Sequence, residues 1–132
     1  DGELEKIANI TIELEDELEE NYSRYDIDKN GVLDGLTDGI LIIRHLFGMT
    51  DDALFEGILT EDENLISRQG ITNSLQRNFD VDGNGEATPL TDGIILTRYM
   101  MGFTEDNLIA GDILGINATR TLPEEIIDFI TQ

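Results

Sequence analysis

The sequence contains no cysteine and a single histidine, His45. Disulfides, thiolate metal sites and cysteine nucleophiles are therefore excluded, and so is a zinc site built from several histidines. Basic residues are also scarce: 8 Lys and Arg stand against 29 Asp and Glu, which gives a formal net charge of −21. Nucleic acid and anionic lipid are both bound by basic surfaces, so we expect neither as a partner. No run approaches the roughly 20 apolar residues that a membrane span requires.

The chain has 132 residues, of which 39% are hydrophobic, and this suffices for one domain with a buried core. We therefore expect a single domain over residues 1–132. No signal-peptide pattern opens the sequence, so Asp1-Gly2 is expected to begin a mature or excised segment. The excess of acids needs neutralisation, and a metal cation is the first candidate partner.

An internal duplication is the most informative feature of the sequence. Residues 25–57 and 79–111 align without a gap at an offset of 54, and 15 of the 33 paired positions are identical. The identical positions include acids, glycines and one arginine, so shared hydrophobicity alone does not explain them. We define repeat 1 as about residues 13–57 and repeat 2 as about residues 67–111. A C-terminal helix is predicted at about residues 121–131.

Both repeats predict the same elements, namely an acidic loop, an apolar helix and a second short helix. The apolar helices are predicted over Asp38–Phe47 and Asp92–Met101, with Thr37 and Thr91 as N-caps and Gly48 and Gly102 at the C′ position. Other helices are predicted over Glu13–Tyr22, over Ser67–Asn78, and from the capping-box pattern at Thr121 to about Ile130. No segment shows strand alternation, so the predicted fold is all-α, with two tandem loop–helix repeats packed pseudo-symmetrically and additional short helices.

Both loops carry oxygen ligands at the alternate positions that a calcium loop uses. Positions 1, 3 and 5 supply side-chain oxygens, glycine at position 6 permits a sharp turn, position 7 supplies its carbonyl, and a carboxylate on the next helix closes the shell. In the first loop, residues 26–38, the predicted ligands are Asp26, Asp28, Asn30, the Val32 carbonyl and Asp38. In the second loop, residues 80–92, they are Asp80, Asp82, Asn84, the Glu86 carbonyl and Asp92.

Physical chemistry favours calcium as the ion. Two unit charges about 5 Å apart repel by roughly 3 kcal/mol at an effective dielectric constant of about 20, and each loop holds four acids. Oxygen ligands without imidazole or thiolate favour calcium over zinc, and a high ligand number in a flexible loop favours it over magnesium. A single string of this kind is also compatible with a solvated acidic turn. Because two copies share the same closing acid and helix, we predict two calcium ions.

The closing residue departs from the usual calcium loop. Asp38 and Asp92 stand at position 13, whereas the usual closing residue is a glutamate at position 12. The additional residue is expected between positions 7 and 12, in the stretches Leu33–Leu36 and Ala87–Leu90. The longer loop would allow the backbone to approach the ion closely enough for the shorter aspartate side chain to ligate bidentately. Asp34 is a further candidate ligand, either direct or through water.

The string Asp-x-Asp-x-Asn-Gly with a closing Asp, followed by Arg after six residues and Gly after ten, resembles the duplicated calcium-binding segment of dockerins. The resemblance covers residues 26–48 and 80–102, about a third of the chain. It implies an EF-hand-like module with two calcium ions that docks a secreted protein of a bacterial polysaccharide-degrading assembly onto a cohesin. The 13-residue loops and the 54-residue period depart from the dockerin pattern.

The resemblance also implies partner contacts, just before each closing Asp and on each exit helix. These positions are Leu36, Thr37, Arg44, His45, Leu90, Thr91, Arg98 and Tyr99. The residues themselves leave alternatives open. Each of the two arginines is also expected to pair with an acid or a helix-end carbonyl of its own repeat, and the apolar helix faces are either buried or exposed to a partner.

We expect no catalysis, because the repeated acids are accounted for as ligands and no nucleophile–base pair surrounds the one histidine. Two interpretations remain: a calcium-dependent docking module, or a calcium-stabilised structural or spacer domain without a specific partner. A cytosolic calcium sensor is the third. The resemblance implies an extracellular or cell-surface location of bacterial type.

Overall fold

The computed structural model describes residues 23–58 and 68–132. In these ranges the chain is helical and has no strand, which confirms the prediction of an all-α fold. The predicted helix Glu13–Tyr22 and the first residue of the predicted helix Ser67–Asn78 lie outside the described residues. None of the helices in the described ranges has the length and hydrophobicity needed to cross a membrane.

Each repeat contains a π-helical turn that continues directly into an α-helix. In repeat 1 the π-turn Gly35–Gly39 leads into α1 (Ile40–Leu46), and α2 (Asp51–Phe55) follows. In repeat 2 α3 (Arg68–Ser74) precedes the second loop, the π-turn Pro89–Gly93 leads into α4 (Ile94–Met100), and a 3-10 helix (Glu105–Ile109) follows. The last helix is α5 (Pro123–Ile130).

The helix starts differ from the prediction. The N-caps of the π-turns are Asp34 and Thr88 rather than Thr37 and Thr91, because the turn begins several residues before the closing aspartate. Asp34 accepts a hydrogen bond from the N–H of Leu36 at 2.8 Å, as an N-cap side chain does. The predicted threonine caps at these two positions are therefore wrong.

The start of α5 also differs, by one residue. Its N-cap is Leu122, with Pro123 at the first helical position. The carboxylate of Glu125, rather than that of Glu124, accepts from the N–H of Leu122 at 3.1 Å. The side chain of Leu122 has no acceptor atom, so only the glutamate half of a capping box is present.

The predicted ends of the two apolar helices are confirmed. Gly48 and Gly102 have φ of +86° and +91°, a left-handed conformation that glycine adopts without strain. After α1, the N–H of Gly48 donates to the His45 carbonyl and the N–H of Met49 to the Arg44 carbonyl. This pair of bonds is a Schellman motif, and it recurs after α4.

The core consists largely of matched positions of the two repeats. The pairs in which both members are buried are Tyr25 with Phe79, Ile27 with Val81, Leu41 with Ile95, Ile42 with Leu96, and Leu54 with Leu108. The core is completed by Ile71 of α3, Leu75 directly after it, Ile126 and Ile130 of α5, and Phe55. The central apolar helices thus bury one face each, and their ends reach the surface.

The two repeats contact each other reciprocally. A Cβ atom on Gly39 would lie 2.7 Å from Oγ1 of Thr97, and one on Gly93 would lie 2.8 Å from Cγ1 of Ile43. Gly39 matches Gly93 and Ile43 matches Thr97, so one contact occurs twice with the roles exchanged. Glycine is needed at both crossings because the partner helix leaves no room for a Cβ.

The loops begin next to each other in the core. The rings of Tyr25 and Phe79, which immediately precede the two loops, have centroids 5.8 Å apart. The hydroxyl of Tyr25 also donates to the carbonyl of Asn78 at 3.2 Å. The fold therefore places the first residues of the two acidic loops on either side of one aromatic pair.

Candidate metal centres

Three predicted ligands converge in each loop. Asp26, Asp28 and Asp38 each offer a carboxylate oxygen, and these oxygens lie within 4.8 Å of one another. Asp80, Asp82 and Asp92 form the matched group. Five of these six side chains are buried, and Asp80 is partly buried. Each group could hold a metal ion, since three carboxylates at such distances repel one another unless a cation or protons neutralise them.

Backbone amides fix the ligands at positions 1 and 5. In the first loop the N–H of Gly31 donates to Asp26 Oδ2 at 2.9 Å, and the N–H of Val32 donates to Asn30 Oδ1 at 2.9 Å. Gly31 has a φ of +86°, so the glycine predicted at position 6 permits the turn that brings its N–H to the carboxylate. The second loop repeats these bonds from Gly85 to Asp80 and from Glu86 to Asn84.

The closing aspartates hold the two ends of each loop together. Asp38 Oδ1 accepts from the N–H groups of Ile27 at 2.8 Å and Asp28 at 3.3 Å, while Oδ2 accepts from the N–H of Asp34 at 2.9 Å. In the second loop Asp92 accepts from Val81, Asp82 and Thr88 at 2.8, 3.3 and 2.8 Å. Oδ1 already has two donors, so bidentate ligation requires the longer of these bonds to open. Bidentate ligation by Asp38 and Asp92 stays a prediction.

The additional loop residue is accommodated in the π-turns. The N–H of Gly39 donates to the Asp34 carbonyl, five residues earlier, and Gly93 donates likewise to Thr88, both at 3.2 Å. A π-turn holds one more residue than an α-helical turn. The insertion therefore widens the first turn of the helix, and the closing aspartate within that turn still reaches the start of its loop.

Burial raises the pKa values of the closing carboxylates. Desolvation, reinforced by the negative charges of Asp28 and Asp26, raises the pKa of Asp38 to about 7, although two backbone N–H groups oppose the shift. Desolvation, with the charge of Asp82, raises the pKa of Asp92 to about 6. The pKa of Asp26 is also raised, by burial first and then by the adjacent Asp28. A divalent cation would reverse each of these shifts by favouring the charged carboxylates.

One carboxylate oxygen in the first loop has no partner. Asp26 is only 2% exposed, and its Oδ1 atom is buried and forms no hydrogen bond with any residue in the described ranges. Leaving a buried acceptor unpaired costs about 1–3 kcal/mol, and more for a charged group. A cation within the group Asp26, Asp28 and Asp38 would satisfy this oxygen, so the residues present fit a metal ion.

The second loop is also held by residues from outside its repeat. Arg120 donates from Nε to the Val81 carbonyl at 2.7 Å and from Nη2 to the Asp80 carbonyl at 2.6 Å. The N–H groups of Thr119 and Arg120 both donate to the Asp82 carbonyl at 2.9 Å. These residues were not predictable from the sequence, because contacts between positions about 40 apart leave no periodic pattern in it.

The predicted partner positions lie in different environments. Leu36 and Leu90 are 69% and 66% exposed, and the remaining six are all partly buried. Arg44 donates to the Leu54 and Glu56 carbonyls at 3.1 and 2.7 Å, and Arg98 donates to the Ala110 carbonyl at 2.9 Å. The arginines thus bind helix-end carbonyls of their own repeats, which was the alternative to partner binding. His45 packs edge-on against Phe79, with centroids 5.9 Å apart.

Comparison of the chain with protein-family models, with curated proteins and with solved structures gives no match. The likeness to dockerins therefore depends on the loop motif and its spacing.

Proposed function

We propose that this protein is a non-catalytic module that binds two calcium ions, one in each acidic loop. The observation that carries the proposal is the duplicated group of carboxylates, Asp26, Asp28 and Asp38 with their matches, together with the unpaired buried Oδ1 of Asp26. The donors are all oxygens, which favours calcium over zinc. Loops that wrap around a point with several ligands suit calcium better than the strict octahedron of magnesium.

Calorimetric titration of the full chain with calcium tests this proposal. We expect two ions per chain in the native protein and one ion in each of the variants Asp26→Asn and Asp80→Asn, which preserve shape and remove a charge. Asp52→Asn is the matched control, since this side chain is 96% exposed and lies outside the loops. A native stoichiometry of zero or one would contradict the proposal, and magnesium in place of calcium should bind much more weakly.

We further propose that the calcium-loaded module docks onto a protein partner. The supporting observation is that Leu36 and Leu90, matched positions beside the closing aspartates, are both largely exposed. Contiguous exposed apolar patches are typical of interaction surfaces, and we infer that each leucine contributes to one. By its resemblance to dockerins, the partner would be a cohesin-like domain and the setting a secreted polysaccharide-degrading assembly.

Titration with a purified cohesin domain, with and without a chelator, tests the docking proposal. Binding in calcium, lost in chelator and lost in the double variant Leu36→Glu with Leu90→Glu, would support it. Leu122→Glu is the matched control, since Leu122 is also about half exposed and lies at the start of α5. If calcium stabilises the chain and cohesins do not bind, the module is a calcium-stabilised spacer.

A further inference from the structure

Gly115 brings a backbone amide from outside repeat 2 to the second group of carboxylates. Its N–H donates to Asp82 Oδ2 at 2.7 Å. A Cβ atom at this position would lie 2.2 Å from Nδ2 of Asn84 and 3.0 Å from Asp82 Oδ2. A side chain there would push the ends of these two candidate ligands out of their present positions, so the close approach of the chain favours glycine. Gly115 therefore holds the ligand at position 3, while Thr119 and Arg120 hold the backbone of positions 1 to 3.

The first loop is supported differently. Among the described residues, the matched carbonyls of Asp26, Ile27 and Asp28 accept no hydrogen bond from outside repeat 1. Position 4 also differs: Lys29 has a φ of +57°, and its match Gly83 has a φ of +69°. A left-handed conformation strains lysine and not glycine. Within the described ranges, the second loop thus has support from outside its repeat that the first loop lacks, and its backbone is less strained at position 4.

We propose that segment 115–120 completes the second metal site from outside its loop, so that this site binds calcium more tightly than the first. Gly115 and Arg120 act as positioning residues, and neither is itself a ligand. This inference rests on the proposed calcium function. Groups that orient metal ligands typically change metal affinity by about 10–100-fold, because a ligand set held in place loses less conformational freedom when the ion binds.

The same contacts connect the second site to the C-terminal helix. The guanidinium of Arg120 lies 4.0 Å from the ring centroid of Phe129 on α5. Ile126 and Ile130 of this helix are buried in the core. If contact of segment 115–120 with the second loop raises the affinity of that loop for calcium, then bound calcium must favour the contact by the same factor. Calcium in the second loop therefore stabilises the attachment of α5.

The positive charge of Arg120 works against a bound cation, so charge and geometry must be separated. Arg120→Lys keeps the charge, and a lysine cannot reproduce the two N–H groups that reach the Asp80 and Val81 carbonyls. Gly115→Ala leaves Arg120 in place and places a methyl group against Asp82 and Asn84. Arg68→Lys is the matched control, because Arg68 forms an exposed salt bridge with Asp52.

Nuclear magnetic resonance of the full chain during calcium titration reads the two sites separately. The amides of Gly31 and Gly85 each donate to the position 1 carboxylate of their own loop, so their resonances report their own site. In the native chain we expect Gly85 to saturate at lower calcium than Gly31. Each segment variant should raise the Kd of the second site about 10-fold or more and that of the first by less than about twofold, and Arg68→Lys should change neither.

Equal loss at both sites, or no loss at either, would overturn the inference while leaving the calcium function intact. If calcium shifts neither amide, the calcium function itself fails. Hydrogen exchange provides a test that needs no variant in the segment. Calcium should slow exchange of the Gly115, Thr119 and Arg120 amides in the Asp26→Asn background, where the second site remains. Equal slowing in the Asp80→Asn background would contradict the inference.

Discussion

In the first loop Asp26 is buried, and its Oδ1 has no partner in the part of the chain that the structure describes. In the second loop its match, Asp80, is partly exposed, and its Oδ1 accepts from the N–H of Asn84 at 3.1 Å. The ligand types are the same in both loops, and they determine which ion the loops suit. The surroundings differ, and they determine how much of the site is organised before an ion arrives. Equal motifs therefore do not imply equal affinities.

Removal of metal from both loops should have the largest effect. A ligand at about 1,000 times its Kd stabilises by ~4.1 kcal/mol, so two sites contribute roughly 8 kcal/mol against a total of about 5–15 for a typical domain. Chelator also leaves the carboxylates uncompensated on a chain of charge −21. We expect the melting temperature to fall by roughly 20–40 °C and near-ultraviolet dichroism to be lost. Added salt should partly restore both, by screening. An unchanged melting temperature would contradict calcium-dependent folding.

Deletion of the additional residue should break one loop at a time. Without Gly35 the first loop has 12 positions, and α1 cannot move to compensate because Leu41 and Ile42 are buried. The shortened loop then pulls Asp38 away from its N–H donors, and we expect the first site to be lost in calorimetry, with its ~4 kcal/mol of stabilisation. Deletion of Pro89 should only weaken the second site, since segment 115–120 still holds that loop. Tighter binding after either deletion would show that the π-turn is not needed.

A pH dependence of stability should appear when calcium is removed. Without metal, the pKa values of Asp38 and Asp92 are raised to about 7 and 6 in the folded state, so the fold binds more protons than the unfolded chain. Their contribution is full below about pH 4 and is lost as the pH rises through 6 to 7. With calcium the carboxylates are charged in the folded state and, above about pH 5, in the unfolded chain as well, so stability should be nearly independent of pH over this window. Melting temperatures measured between pH 5 and 8 distinguish the two cases. The same pH dependence of the melting temperature with and without calcium would contradict the raised pKa values of Asp38 and Asp92.

The smallest effect is expected from substitutions at position 4 of the first loop, because the comparison between them changes only the backbone strain at this position. Lys29→Gly gives the first loop the residue of the second, and Lys29→Ala removes the same charge while keeping a Cβ in the left-handed region. We expect the glycine variant to exceed the alanine variant by about 1 kcal/mol in unfolding free energy, measured in calcium by denaturant titration. If the two variants are equal, strain at Lys29 does not distinguish the loops.

The ligand groups were predictable because the residues that form each group lie close together in the sequence. Asp26 and Asp28 are two residues apart, the turn that follows them needs Gly31, and the second copy removes the ambiguity of the first. The helix that contributes the buried Ile71 was predicted from periodicity in the same way, within Ser67–Asn78. A short-range pattern that occurs twice is the most reliable signal in this chain.

Other features depend on contacts or geometries that the pattern does not encode. The π-turns moved the N-caps to Asp34 and Thr88, since an insertion can be absorbed in a loop or in a helix and the sequence favours neither. The role of Gly115 depends on a bond across 33 positions. Such a contact becomes visible only when the path of the chain is known.

The contact between Tyr25 and Phe79 joins a residue to its own counterpart, as happens at the axis of a symmetric dimer. Two separate copies of one 54-residue unit would meet through the same surfaces, with tyrosine on tyrosine. At these contacts the chain has the geometry of a symmetric dimer whose two halves are joined in one chain. Joining the subunits replaces a concentration-dependent encounter by an intramolecular one. It also lets each half change alone, as Ile43 against Thr97 and the one-sided support from segment 115–120 illustrate.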